Sequence, residues 1–160
     1  MAREIERKFL VDPGQWHPGP TPGVRMRQGY LSLDPARIVR VRREGDRGVL
    51  TIKGTTVGIE RSEFEYPIPA PDADLLLDQL CHRPFIEKTR YLHPYAGHTW
   101  EVDVFDGENR GLILAEVELA SADEPVRIPP WAIREVSADP RYFNAALIQH
   151  PFSSWHLQHA

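Results

Sequence analysis

Along most of this chain apolar and polar positions alternate with a period of two, the signature of a strand with two unlike faces. The first run, EIERKFL (residues 4–10), puts Glu4, Glu6 and Lys8 on one face and Ile5 and Phe9 on the other. Similar runs follow at GYLSL (29–33), RIVRVRR (37–43), GVLTIKG (48–54), IERSEFEYPI (59–68), FIEKTRYLH (85–93), HTWEVDVFDG (98–107) and LILAEVELAS (112–121). Gly, Pro and Asp punctuate them. DPGQWHPGPTPG (12–23) is a loop, EGDRG (44–48) a hairpin turn and DGENRG (106–111) a second turn. The leucine cluster of PDADLLLDQL (71–80), after an acidic start, predicts a helix of two to three turns, and PPWAIREVS (129–137) and PRYFNAALIQH (140–150) read as short helices. Eight strands and a few helices, with no repeat or long linker, predict an α+β fold in one domain over residues 1–160.

The polar faces are charged and sorted by sign. Arg40 and Arg42 share a face, as do Thr51 and Lys53, Glu63 and Glu65, Lys88 and Arg90, Glu101 and Asp103, and Glu116 and Glu118. The opposite faces carry Val39 and Val41, Leu50 and Ile52, Phe64 and Tyr66, Trp100, Val102 and Val104, and Val117 and Leu119. For a single strand, a solvated charged face over an apolar core is the ordinary arrangement. For the set it is a poor account. Like charges at i and i+2 stand about 6.5–7 Å apart and repel, and uncharged polar residues are scarce on these faces.

The alternative is convergence. Eight strands close into a barrel wide enough for a small ligand, giving a lumen of eight acids (Glu4, Glu6, Glu63, Glu65, Glu101, Asp103, Glu116, Glu118) and six bases (Lys8, Arg40, Arg42, Lys53, Lys88, Arg90). Confined charge of this density needs partners. Clustered carboxylates call for hard divalent cations such as Mg²⁺ or Mn²⁺, and rows of Arg and Lys call for phosphate oxygens. A metal–polyphosphate complex meets both demands. The apolar exteriors would then be covered by the helices or by a second copy in a homodimer.

Bulk properties narrow the setting. A net charge of -4 argues against a nucleic acid polymer as partner. One cysteine, Cys81, precludes an internal disulfide and suits the cytoplasm; at the end of the predicted helix it reads as a packing residue. No signal peptide or apolar span is visible. A membrane barrel would point Arg3, Arg7 and Arg43 at lipid, so no membrane partner is expected. His150, His156 and His159 lack ligand-like surroundings.

With E-x-E-x-K at Glu4-Ile5-Glu6-Arg7-Lys8, and then QGYLS, VRVRREG, LTIKG, RSEFEYPI, EKTRY, WEVDVFDGENRGLILAEVEL and RYFNAAL in that order, the chain resembles the CYTH domain, or triphosphate tunnel metalloenzyme, family over nearly its whole length. EIERKFL in a minimal domain looks most like the bacterial branch that hydrolyses inorganic triphosphate. The resemblance implies an eight-stranded antiparallel barrel, a tunnel with a charged lumen and a few peripheral helices. It implies that Glu4, Glu6, Glu116 and Glu118 ligate Mg²⁺ or Mn²⁺ with Asp103 nearby, and that Arg40, Arg42, Lys53, Lys88 and Arg90 grip a small-molecule triphosphate. Lys8 would meet the terminal phosphoryl group or the attacking water, so that Lys8, Arg40 and Glu6 form the catalytic set. Glu63 and Glu65 either act through metal-bound water or hold the bases in place, and Glu101 ranks last among the acids. A class IV-type adenylyl cyclase and a non-catalytic polyphosphate- or nucleotide-binding module are the alternatives. Tyr30 is either a core residue or a lumen contact, Arg25 and Arg27 are read as surface, and residues 141–148 either plug one tunnel end or pack outside. Whether loop 12–23 covers the mouth is open.

Overall fold

The computed structural model describes residues 2–155; His156 and His159 lie outside them. One antiparallel sheet dominates. Its strands are β1 (Arg3–Val11), β2 (Val24–Ser32), β3 (Ile38–Glu44), β4 (Arg47–Lys53), β5 (Glu60–Ile68), β6 (Ile86–Tyr95), β7 (His98–Phe105), β8 (Ile113–Glu118) and β9 (Ala132–Glu135). The order is β5-β4-β3-β2-β6-β7-β8-β1-β9, and β5 also pairs with β1 through Arg3↔Ser62, Glu4↔Arg61 and Ile5↔Glu60. That pairing closes the first eight strands into the expected antiparallel barrel. Closure removes the free edges that an open sheet of this size would expose.

The barrel is apolar outside, and the chain covers much of that exterior itself. α1 (Ala70–Gln79) lays Ala73 and Leu77 on Val41. Its approach is close: a Cβ on Gly29 would lie 2.9 Å from Cys81 Cβ, and one on Gly48 would lie 2.8 Å from the Ile68 carbonyl oxygen. Cys81 packs here as expected, half-buried against this cluster. On the other side Phe9, Trp100, Val102, Ala115 and Val117 are covered by Trp16 and Trp131. Loop 12–23 therefore sends its tryptophan to the barrel wall, against Tyr91. The β4–β5 exterior stays open, with Ile52, Phe64 and Tyr66 exposed.

The helix expected at 129–137 is a strand. β5 meets only the first residues of β1, which leaves the backbone of Phe9 to Val11 without partners on that side. β9 fills the gap, pairing Phe9↔Glu135 and Leu10↔Arg134, and the Val136 amide donates to the Lys8 carbonyl. Unpaired backbone groups outweigh local helical pattern. The C-terminal helix is also shorter than expected. A 3₁₀ turn spans Pro140–Tyr142, Phe143 is extended, and α2 runs Asn144–Gln149, followed by α3 (Phe152–Trp155).

α2 stops one end of the barrel. At that end the inward rows change character: Leu10 follows Lys8, Ile38 precedes Arg40, Ile86 precedes Lys88, Phe105 follows Asp103 and Leu114 precedes Glu116. These apolar residues form one cluster with Leu147 and Ile148 of α2. Of the two placements open for residues 141–148, the structure shows the plug.

Candidate active site

The inward rows enclose a cavity of about 660 Å³. Of the charged residues picked out from strand alternation, all line it except Asp103, which sits in the wall behind at 1% exposure. Eight acids and seven bases line the cavity, Glu44 and Arg61 being additional to those expected. Both were readable: Glu44 continues the Arg40–Arg42 row, and Arg61 precedes Glu63 and Glu65 by the same step of two.

Most of these acids are already answered by cations. Glu4 accepts from Lys53 Nζ at 3.0 Å and Arg61 Nε at 3.2 Å. Glu63 lies 3.3 Å from Lys53, Glu65 lies 3.4 Å from Arg40, and Glu44 accepts from Arg42 at 3.1 Å. Glu101 accepts from Arg90 at 3.0 Å. Asp103 is engaged on both oxygens, by Arg90 Nε at 2.8 Å, Arg90 Nη2 at 2.9 Å and Lys88 Nζ at 2.8 Å. Three acids stand apart. Glu6 and Glu118, directly opposite each other on β1 and β8, have no ion pair among the described residues, and Glu116 has only Arg90, at 3.7 Å.

The electrostatics follow from this division. Burial raises the Glu4 carboxyl, but Lys53 and Arg61 outweigh it and hold the group at about 2. Asp103 is likewise held at about 2, burial being overcome by Arg90 and then Lys88. Glu6 is pushed well up, by burial and by its hydrogen-bonded neighbour Glu116, which is itself held low against burial by Lys8, the Glu6 hydrogen bond and Arg90. The two carboxyls thus titrate as a coupled pair, with Glu6 the member displaced upward. Glu63 is raised to about 7 by burial and by its bond to Glu4. Burial takes Lys88 down to about 7 despite Asp103, so Arg90 is the firmer partner of that carboxylate.

Two cations of the cavity wall are only lightly committed among the described residues. Arg40 is buried, and its Nη2 bonds Thr51 and Glu65, but its Nε has no partner. Lys8 Nζ donates only to the Tyr142 carbonyl, at 3.2 Å, and lies 5.4 Å from the Phe143 ring centroid. Tyr30 joins both descriptions open for it: its ring is buried in the apolar cluster, and its hydroxyl accepts from Gln28 beside the cavity. Arg25 and Arg27 face outward from β2, paired with Asp106 and Asp78. Gln28 and Asn144, both bonded to the basic wall, went unpredicted because neither carries charge. Among the described residues no group of three or more His, Cys, Asp or Glu side chains is arranged to hold a metal ion as it stands.

A closed antiparallel barrel whose charges point inward, around acids left without cations and a lysine left without an acid among the described residues, defines a class of tunnel proteins, and the CYTH domain family matches residues 2–148. The chain belongs to that family. An inorganic triphosphatase of Acetivibrio thermocellus is 46% identical over 97% of this chain and 99% of its own length. One from Nitrosomonas europaea is 38% identical over 90% and 95%. The crystal structure of an inorganic triphosphatase, 36% identical, superposes with a TM-score of 0.65 over 91% of this chain and 97% of that one. A Bacillus halodurans structure at 19% identity and a TM-score of 0.61 shares the fold.

Proposed function

We propose that the chain is a divalent-metal-dependent hydrolase of inorganic triphosphate, splitting one phosphoanhydride bond with water to give pyrophosphate and phosphate. One observation carries this reading: a single cavity is lined by six bases paired with acids and by Lys8, which has no acid partner among the described residues, and beside it Glu6 and Glu118 face each other with no cation partner among them. A polyanion carrying a metal supplies what both lack. That two relatives at 46% and 38% identity bear the name inorganic triphosphatase supports it further.

The acids fit a hard cation. Glu6 and Glu118 are oxygen donors without an ion pair among the described residues, Glu116 has only the long contact to Arg90, and Glu4 is near enough to act electrostatically on Glu6 and Glu118. These four would hold Mg²⁺ or Mn²⁺. A bound metal would screen phosphate charge and lower the pKa of a water. Arg40, Arg42, Lys53, Lys88 and Arg90 grip the phosphates, and Lys8, with one bond to a carbonyl, meets the terminal phosphoryl group or the attacking water. Asp103, Glu101, Glu63 and Glu65 hold those bases in place. The protein's work is positioning and charge stabilisation. The substrate is a small molecule, the unit is one domain, and a cytoplasmic location suits a chain with a single cysteine. If a homodimer forms, the exposed β4–β5 exterior is the apolar face left for it.

The test is a matrix of metals and substrates. Triphosphate with Mg²⁺ or Mn²⁺ should release phosphate and pyrophosphate, and EDTA should abolish the reaction. Metal-independent turnover would refute the mechanism. Cyclic AMP from ATP, or tight binding without turnover in any metal, would favour a cyclase or a binding module instead. In the active enzyme Glu6→Gln should lower kcat/KM by about 10²-fold or more, the scale of a lost metal ligand or its close partner.

A further inference from the structure

α2 does more than stop the barrel. Its first residue, Asn144, turns its side-chain oxygen to the basic wall and accepts two hydrogen bonds there, from Lys88 Nζ at 2.8 Å and Gln28 Nε2 at 3.1 Å. Gln28 is wholly buried, and its own oxygen accepts from Arg42 Nε at 2.9 Å. Building on the triphosphate reading of the cavity, we propose that Asn144 is a positioning residue for phosphate binding: one oxygen fixes Lys88 directly and Arg42 by way of Gln28.

The amide orientations leave little freedom. Arg42 can only donate, so Gln28 must present its oxygen to it. The Gln28 nitrogen then faces Asn144 and the Tyr30 hydroxyl, and Asn144 must answer with oxygen. The same oxygen accepts from Lys88 Nζ on the other side. The Lys88 ammonium is thereby held from two directions, by Asp103 Oδ2 on β7 and Asn144 on α2. Lys88 lines the cavity from this fixed position. Arg42, held at Nε by Gln28 and at Nη1 by Glu44, keeps Nη2 without a protein partner among the described residues. Both cations line the cavity while wall residues fix them, which is preorganisation for an anion.

Asn144→Leu keeps the branched shape of the side chain and removes the acceptor. Ile148→Ala loosens the same helix without touching Lys88 or Gln28 and serves as the control. Both are compared with wild type by steady-state kinetics on inorganic triphosphate with Mg²⁺, by calorimetric binding of triphosphate with Ca²⁺, and by thermal unfolding. Because the cations hold ground state and transition state alike, Asn144→Leu should raise KM and Kd together by about fivefold or more with kcat within about twofold. Ile148→Ala should lower Tm with KM and Kd unchanged. Overturning results are an Asn144→Leu enzyme with wild-type KM and Kd, one whose kcat falls at constant KM as a smaller folded fraction would give, or an Ile148→Ala enzyme with the same rise in KM. A wild-type chain that binds triphosphate without hydrolysing it would refute the proposed function while the Kd ratio still decides on Asn144. No binding of triphosphate at all would refute both.

Discussion

Asp103 shows how far a single residue is defined by its neighbours. Alternation along β7 groups it with the lumen acids, and nothing in the chain order separates it from Glu101. In the fold it lies in the wall with both oxygens taken by Lys88 and Arg90. Removing one partner of a buried pair leaves an uncompensated charge, at a cost of about 3–5 kcal/mol. Asp103→Leu should destabilise the protein by that amount in urea unfolding at pH 7. The pH dependence has a definite sign. The folded carboxyl is held at about 2, below its unfolded value near 3.9. Its contribution is therefore complete above the unfolded value and disappears as pH falls toward about 2. The gap between wild type and Asp103→Leu should stay level from pH 7 down to about pH 4 and close below it; a gap already closing at pH 6 would mean the pair is not the source. Which residues point inward was legible from parity, and Arg61 and Glu44 extend rows already visible. Partner choice within the lumen was not, because it depends on strand register across β6, β7 and β8. Nor were Gln28 and Asn144, since an uncharged amide in a strand or helix looks like any surface amide.

At the scale of elements, strands were legible because their period is two and both faces are marked. β9 was missed because Trp131 to Val136 is too short to show a period, and what makes it a strand is an unfilled edge on β1 far away in sequence. The seat of α1 was equally hidden. It depends on glycines at 29 and 48 that let the helix and its connections approach the barrel wall. Gly48 is the sharper case, since an added Cβ would meet backbone oxygen, which cannot swing aside. Gly48→Ala should cost about 1–3 kcal/mol, the range for overpacking, measured as a lowered urea midpoint with unchanged slope. Gly48 lies on the outer wall, away from the cavity lining, so KM for triphosphate should not move. A fully stable Gly48→Ala would show that the Ile68 backbone and Ala73 yield more easily than their packing suggests.

Taken whole, the barrel is a charge balance with a remainder. Asp103 and the eight acids lining the cavity face seven bases, an excess of two negative charges around one pocket. In two carboxyl pairs one member is pushed up, Glu6 beside Glu116 and Glu63 beside Glu4, so the excess favours proton uptake. A divalent cation would offset the same two charges. At the proposed site, a cation held by Glu6, Glu116 and Glu118 would lower Glu6 and, less strongly, Glu63, so its uptake would be coupled to proton release. Both groups titrate above the ordinary carboxylate range, Glu63 at about 7. Below that pH the cation must expel protons, and its affinity should fall by up to about tenfold per pH unit for each proton released. Mn²⁺ titrated calorimetrically into the full chain at pH 8 and pH 6, in buffers of different ionisation enthalpy, reads both quantities at once. The expected outcome is weaker binding at pH 6 with net proton release, and Glu6→Gln should bind more weakly at pH 8 while losing one of the released protons. Equal affinity at the two pH values, with no proton released, would place the cation away from these carboxyl pairs and leave the acid excess of the tunnel without a purpose in metal binding.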